Sequence, residues 1–160
     1  MKTVHRRQKA GKIGRCTYML RGVPSGPNDP DEQQSPVAFV IEDDAASRDL
    51  VCACLESMGF QTEALQPSLK AIEKGVASAV ARDVVVIDVM LGPACDGFDV
   101  VRMLADRRFA GRVVVMSGYR TDYLNLVHSM ADAFRLRIAG ALEKPVTIST
   151  LQQLLADPSV

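Results

Sequence analysis

Val84-Val85-Val86-Ile87-Asp88-Val89-Met90-Leu91-Gly92-Pro93 is the stretch on which the reading of this chain turns. Four consecutive β-branched residues describe a strand buried on both faces, because a strand covered on one side alternates apolar and polar residues. The run ends on a carboxylate, and Gly92 and Pro93 then take the chain into a loop. In open α/β sheets, ligands bind at the carboxyl ends of strands. A lone Asp in this position also serves as an ordinary turn residue. Its meaning therefore depends on what the rest of the chain brings to it.

Working outward, the same pattern recurs. Val37 to Ile41 is a short apolar run that passes directly into Glu42-Asp43-Asp44. Leu50, Val51, Cys54, Leu55 and Met58 follow at helical spacing, with Gly59 as the stop, predicting a helix from Ala45 or Ala46 to Met58. Phe60 to Leu65 alternates loosely, as an edge strand does, and Pro67-Ser68 opens a helix predicted to run to about Ala81. Beyond the central stretch, Asp96-Gly97 leads a helix carrying Val100, Val101, Met103 and Leu104, with Ala110-Gly111 as its break.

Val113 to Met116 is a further buried strand, ending on Ser117-Gly118. A helical spacing covers 123–135, a fifth strand Leu136 to Leu142 ends on Glu143-Lys144-Pro145, and a last helix covers Ile148 to Leu155. Strands alternating with helices in this way imply an α/β fold: a three-layer, doubly wound, five-stranded parallel sheet with helices on both faces. With right-handed crossovers the expected strand order is 2-1-3-4-5, the flavodoxin-like arrangement.

Length and composition fit one domain. The chain has 160 residues, 48% hydrophobic and 24% charged, with a net charge of zero. No apolar run reaches the roughly 18 to 20 residues that span a bilayer, and no signal peptide pattern opens the chain. The expectation is a cytoplasmic protein without a membrane partner.

Residues 1 to 22 carry seven basic residues and no acid, whereas from Pro36 onward there are 12 basic and 16 acidic residues. Residues 1–35 read as a basic tail and a disordered Pro/Gly/Ser-rich linker, and 36–158 as the folded domain. The basic arm has no aromatic interleaving or amphipathic pattern, which argues against a nucleic acid partner. Cys16, Cys52, Cys54 and Cys95 are scattered, and Cys52 and Cys54 point apart on a helix. His5 and His128 have no neighbours at ligand or triad spacing.

In a parallel sheet all strands end on one rim. Glu42, Asp43 and Asp44 after the first strand, Asp88 after the third, Ser117 after the fourth and Lys144 after the fifth therefore converge. Repulsion between carboxylates from two strand ends is relieved by a hard cation with oxygen ligands, such as Mg2+. Lys144 and Ser117 supply the donors that a phosphoryl group needs. The constellation predicts phosphoryl chemistry on a carboxylate.

These motifs, Val-Ile-Glu42-Asp43-Asp44, Val-Val-Val-Ile-Asp88-Val-Met-Leu, Asp96-Gly97, Val-Val-Met-Ser117-Gly118 and Leu-Glu-Lys144-Pro145, resemble the receiver domains of two-component response regulators over about residues 36 to 156. The 2-1-3-4-5 order is shared by that family, so it adds no independent support. The resemblance implies a phosphorelay protein whose phosphoacceptor, Asp88, takes a phosphoryl group from a phosphohistidine on a histidine kinase or histidine phosphotransfer protein. It implies that Asp43, Asp88 and the main-chain carbonyl of Met90 ligate Mg2+, with Glu42 acting mainly through water. It gives Lys144 a phosphoryl oxygen to pair with, Ser117 another, and Pro145 a cis peptide bond after Lys144.

The implied output is a population shift that alters binding to a downstream protein target, with no enzymatic activity beyond slow autodephosphorylation. Only Asp157-Pro158-Ser159-Val160 follows the last helix, so the expectation is a receiver of the single-domain type. Three departures stand out. The Asp88 to Gly97 loop is one residue longer than in most receivers, the Ser117 to Lys144 segment is longer by several residues, and Ala141 occupies a position often held by a switching aromatic. Two other readings compete. A Mg2+-dependent small-molecule phosphatase or phosphotransferase would also use Asp88 as nucleophile, but haloacid dehalogenase-type enzymes place a second Asp where Met90 stands. A phosphorylation-independent scaffold is disfavoured, because no expected acid, hydroxyl or lysine is missing.

Overall fold

A computed structural model describes residues 34–93, 95–118 and 135–156. The expected basic tail, His5, His128, Cys16 and residues 123–134 of the expected helix lie outside these residues. The strands are β1 (Val37–Ile41), β2 (Gln61–Ala64), β3 (Val84–Asp88), β4 (Arg112–Ser117) and β5 (Arg137–Glu143). The helices are α1 (Ala45–Ser57), α2 (Leu69–Gly75), α3 (Gly97–Asp106) and α4 (Ile148–Leu155), with a 3-10 turn at Val76–Ser78. All strand pairs are parallel and the order is β2-β1-β3-β4-β5, as the alternation of elements predicts.

Every residue of β3 is buried, which is why its sequence does not alternate. Its side chains divide between two cores. Val85 and Ile87 pack with Phe39, Ile41, Ile72 and Leu104 on one face, while Val84 and Val86 pack with Ala38, Val40, Leu55 and Leu151 on the other. Leu50, placed by periodicity on the core face of its helix, is instead exposed, and so is Leu69 in α2. Both lie at the margin of their helix's apolar stripe, where spacing alone does not separate core from surface.

Two helix ends differ from the sequence expectation. α2 stops at Gly75 and passes through the 3-10 turn, rather than continuing to Ala81. A Cβ at Gly75 would lie 2.6 Å from Leu65 Cδ2, so the helix packs tightly there. Ala79 is extended, and the Val80 N–H donates to Asp83 Oδ2 at 2.8 Å instead of to a helical carbonyl. α3 ends before Ala110-Gly111. The N–H of Arg108 donates to the Ala105 carbonyl and that of Phe109 to the Leu104 carbonyl, both at 2.9 Å. That pairing is a Schellman closure, whose left-handed residue is usually Gly. Here it is Arg108, at φ +54°, a conformation costing roughly 1 to 2 kcal/mol for a residue with a side chain.

The rim at which β3 begins is organised by Asp83, only 4% exposed. Its Oδ1 accepts from the Val37 N–H at 2.9 Å, its Oδ2 from Val80, and its main-chain carbonyl from the Arg112 N–H at 3.0 Å. One residue thus ties the starts of β1, β3 and β4. Gly111 is required beside it, because a Cβ there would lie 2.4 Å from the Asp83 carbonyl oxygen. β5 carries a bulge. Val113 pairs with Ile138 and Val114 with Gly140, leaving Ala139 as the extra residue.

Candidate functional site

Parallel pairing brings the strand ends together as the sequence predicts. One oxygen each from Glu42, Asp43 and Asp88 lie within 4.8 Å of one another. Glu42 and Asp88 are buried and Asp43 is exposed. β1 delivers the first two, since Ile41 pairs with Ile87 and the next residues leave the sheet beside Asp88.

Asp44, the third acid of that run, is diverted. Its Oδ1 caps α1 by accepting from the Ser47 N–H at 2.7 Å. The Ser47 backbone and hydroxyl hold the Asp44 carboxyl below the usual carboxylate range.

From the opposite side, the Lys144 Nζ donates to Asp88 Oδ2 at 2.6 Å and forms an ion pair with Glu42 Oε2. The Lys144 N–H also donates to the Ser117 carbonyl at 2.9 Å, so β4 and β5 set the position of the lysine together. The Lys144–Pro145 peptide bond is cis, as the family resemblance implies. Ser117 is buried at the end of β4, one strand over from Asp88.

Burial pushes the Glu42 carboxyl above its ordinary pKa, against the opposing pull of the Lys144 hydrogen bond and the Asp44 N–H, with Asp88 adding repulsion. For Lys144, burial acts to lower the pKa. The hydrogen bonds to Asp88 and Glu42 outweigh it, and the net direction is upward. The single ammonium charge lies between two carboxylates and offsets part of their mutual repulsion.

The loop after β3 folds over this cluster. The Met90 N–H donates to Asp88 Oδ1 at 3.1 Å, while its side chain is turned outward, the residue being 62% exposed. Gly92, at φ +78°, is close enough that a Cβ would lie 3.4 Å from Asp43 Oδ2. Gly97 permits α3 to start against the strand end, because a Cβ there would lie 2.7 Å from the Asp88 carbonyl oxygen. Asp96 caps that helix through the Phe98 N–H at 2.8 Å.

The donors fit a hard divalent cation. Three carboxylates converge, and Glu42 Oε2, apart from its ionic contact with Lys144, is buried without a well-angled hydrogen bond. Sequence reasoning missed one buried acid, Asp83. Its position directly before the apolar run of β3 was the available signal.

Comparison with known proteins agrees with this geometry. The profile described as "Response regulator receiver domain" matches residues 38–156. Among curated proteins, the autoinducer 1 sensor kinase/phosphatase LuxN of Vibrio campbellii is 26% identical over 132 residues, covering 82% of this chain and 14% of that protein. This chain thus spans a small part of the length of the curated relatives it matches.

Among solved structures, a receiver domain described as CheY-like, from Methylobacillus flagellatus, is 25% identical with a TM-score of 0.59, covering 77% of this chain and 98% of the other. A response regulator from Colwellia psychrerythraea superposes with a TM-score of 0.61 at 21% identity, covering 77% and 95%. The CheX–CheY complex with beryllium fluoride and magnesium from Borrelia burgdorferi gives 0.66 at 16% identity, covering 82% and 95%. At such identities these last two resemblances speak to the fold.

Proposed function

The chain belongs to the response regulator receiver domain family, and from that membership we propose that it is a phosphoacceptor switch that takes a phosphoryl group on Asp88. The observation that carries this reading is the joint placement of Glu42, Asp43, Asp88 and Lys144, drawn from three strand ends onto one rim. The donor is a phosphohistidine on a histidine kinase or phosphotransfer protein. The partial similarity to a sensor kinase supports a partner of that class. Such a relay works in the cytoplasm, and no helix among the described residues is long and apolar enough to cross a membrane.

In the proposed reaction an Asp88 carboxylate oxygen attacks phosphorus. A P–O bond forms, the P–N bond to the imidazole breaks, and its electron pair stays on the imidazole nitrogen. Asp43, Asp88 and the Met90 carbonyl would hold Mg2+, with Glu42 reached through water. The cation supplies charge neutralisation between the acids and the phosphoryl oxygens.

The chain's own residues then position and compensate. The Met90 N–H orients Asp88 through Oδ1. Lys144 already lies against Oδ2 and moves with the added charge onto a phosphoryl oxygen. Ser117 donates to another phosphoryl oxygen and carries the change outward through β4. Ala141 is small, so the signal leaves through backbone and helix shifts rather than an aromatic rotamer.

The test is titration with beryllofluoride in the presence of Mg2+, followed by amide NMR. The expected outcome is a saturable change centred on residues 88–92, 117–118 and 142–146 that Asp88→Asn abolishes. An equal change in Asp88→Asn overturns the reading. Steady turnover of small phosphate esters would instead favour a phosphatase.

A further inference from the structure

A second concave site lies at the opposite end of the sheet. A cleft of about 620 Å3 opens between the residues that close α2 and those that close α3, before the starts of β3 and β4. Its apolar wall includes Val76, Ala79 and Phe109. The Phe109 ring is a fixed surface, since it lies against Gly111, where a Cβ would come within 2.7 Å of Cζ.

The rest of the lining is cationic. Lys70, Lys74, Arg107 and Arg108 face one carboxylate, Glu73, and Glu73 is already paired with Arg107. Among the described residues, the side chains of Lys70, Lys74 and Arg108 have no acidic partner. Like charges left uncompensated around one cleft are complementary to an anion.

Arg108 adds an independent observation. It occupies the left-handed closing position of α3, where glycine is the unstrained choice, and its side chain lines the cleft. A strained residue at such a position is a reason to look for function.

We propose that this cleft binds a small phosphorylated ring compound of the nucleotide class. The planar, multiply donating guanidinium of Arg108 suits phosphoryl oxygens, and Lys74 contributes a point charge. Phe109 and its apolar neighbours give the ring a face to cover. The volume falls within the roughly 300 to 1,000 Å3 typical of small-molecule sites and exceeds what a bare phosphate fills. The site is independent of Asp88, which lies beyond the length of β3.

The experiment uses the full chain without divalent metal, in EDTA, so that nucleotide cannot enter through a cation at the acidic cluster. ADP, GDP, pyrophosphate and an oligoglutamate peptide are titrated separately by calorimetry at low salt. Saturable binding of ADP or GDP with Kd below about 1 mM is expected, weakening as salt rises. Arg108→Gly should weaken it about tenfold or more while the melting temperature holds or rises, so lost binding is not lost folding. Asp88→Asn should bind as the wild type does. The proposal is overturned by absence of saturation with both nucleotides, by unchanged binding in both Arg108→Gly and Lys74→Glu, or by pyrophosphate or oligoglutamate binding as tightly as the nucleotides.

Discussion

Asp83 and Asp88 stand at the two ends of β3, both 4% exposed, and they are held in different ways. Asp83 gives both carboxylate oxygens to fixed main-chain donors, Val37 and Val80. Asp88 accepts one main-chain N–H, from Met90, and otherwise rests on the flexible ammonium group of Lys144 beside a second buried acid. The first arrangement makes a joint among three strands. The second leaves a carboxylate whose partner can be exchanged, as the proposed phosphoryl acceptance requires. A buried acid is therefore not in itself a functional acid; the mobility and charge of its partners distinguish the two.

The largest effect on stability should come from Asp83. Asp83→Ala leaves the partly buried N–H groups of Val37 and Val80 without their carboxylate acceptor, for an expected loss of about 3 kcal/mol in urea unfolding. Asp88→Ala leaves Lys144 paired with Glu42 and should cost about 1 kcal/mol or less. A reversed ranking would break the comparison.

Next comes Lys144→Met, which leaves Glu42 and Asp88 facing each other without a counter-charge. Metal-free stability should fall by about 2 kcal/mol, less than for a fully buried pair because the lysine is partly exposed. Its pKa is raised in the folded state, so its contribution is complete below the unfolded value near 10.5 and disappears as pH rises through the folded value. The difference between wild type and Lys144→Met should therefore be level across neutral pH and shrink only in strong alkali. Thermal unfolding at several pH values in EDTA checks this.

A smaller contrast separates neighbours at the end of β1. Asp44→Ala removes a helix cap and should cost about 1 kcal/mol, with Mg2+ affinity changed less than about twofold. Asp43→Ala should leave stability nearly intact and weaken Mg2+ binding about tenfold or more. Calorimetry with Mg2+ alone distinguishes the pair.

Much of this was legible in the sequence because buried parallel strands leave strong signals. Val84 to Ile87 and Val113 to Met116 mark the sheet, and the acids, Ser117 and Lys144 follow their strands at fixed positions. Termination was less legible. α2 ends at Gly75, and downstream the Val80 N–H turns to the side chain of Asp83 three residues on, a local capture that the apolar spacing does not register. α3 ends at Asp106 and is closed through the left-handed Arg108, before Ala110-Gly111, because a strained Schellman closure leaves no compositional mark. Asp83 is less legible because it precedes its strand, whereas the acids of the cluster follow theirs. The acid run Glu42-Asp43-Asp44 shows a finer limit: its members share a position in sequence but divide between the acidic cluster and a helix cap.

The central claim is that Asp88, and not another buried or clustered acid, receives the phosphoryl group. The most direct measurement is incubation of the full chain with acetyl phosphate and Mg2+, followed by peptide mass mapping under conditions that preserve acyl phosphates. A single phosphoryl adduct on the peptide containing Asp88, absent without Mg2+ and absent in Asp88→Asn, is the predicted result. An adduct that persists in Asp88→Asn, or no adduct on a folded wild-type chain, would contradict the account.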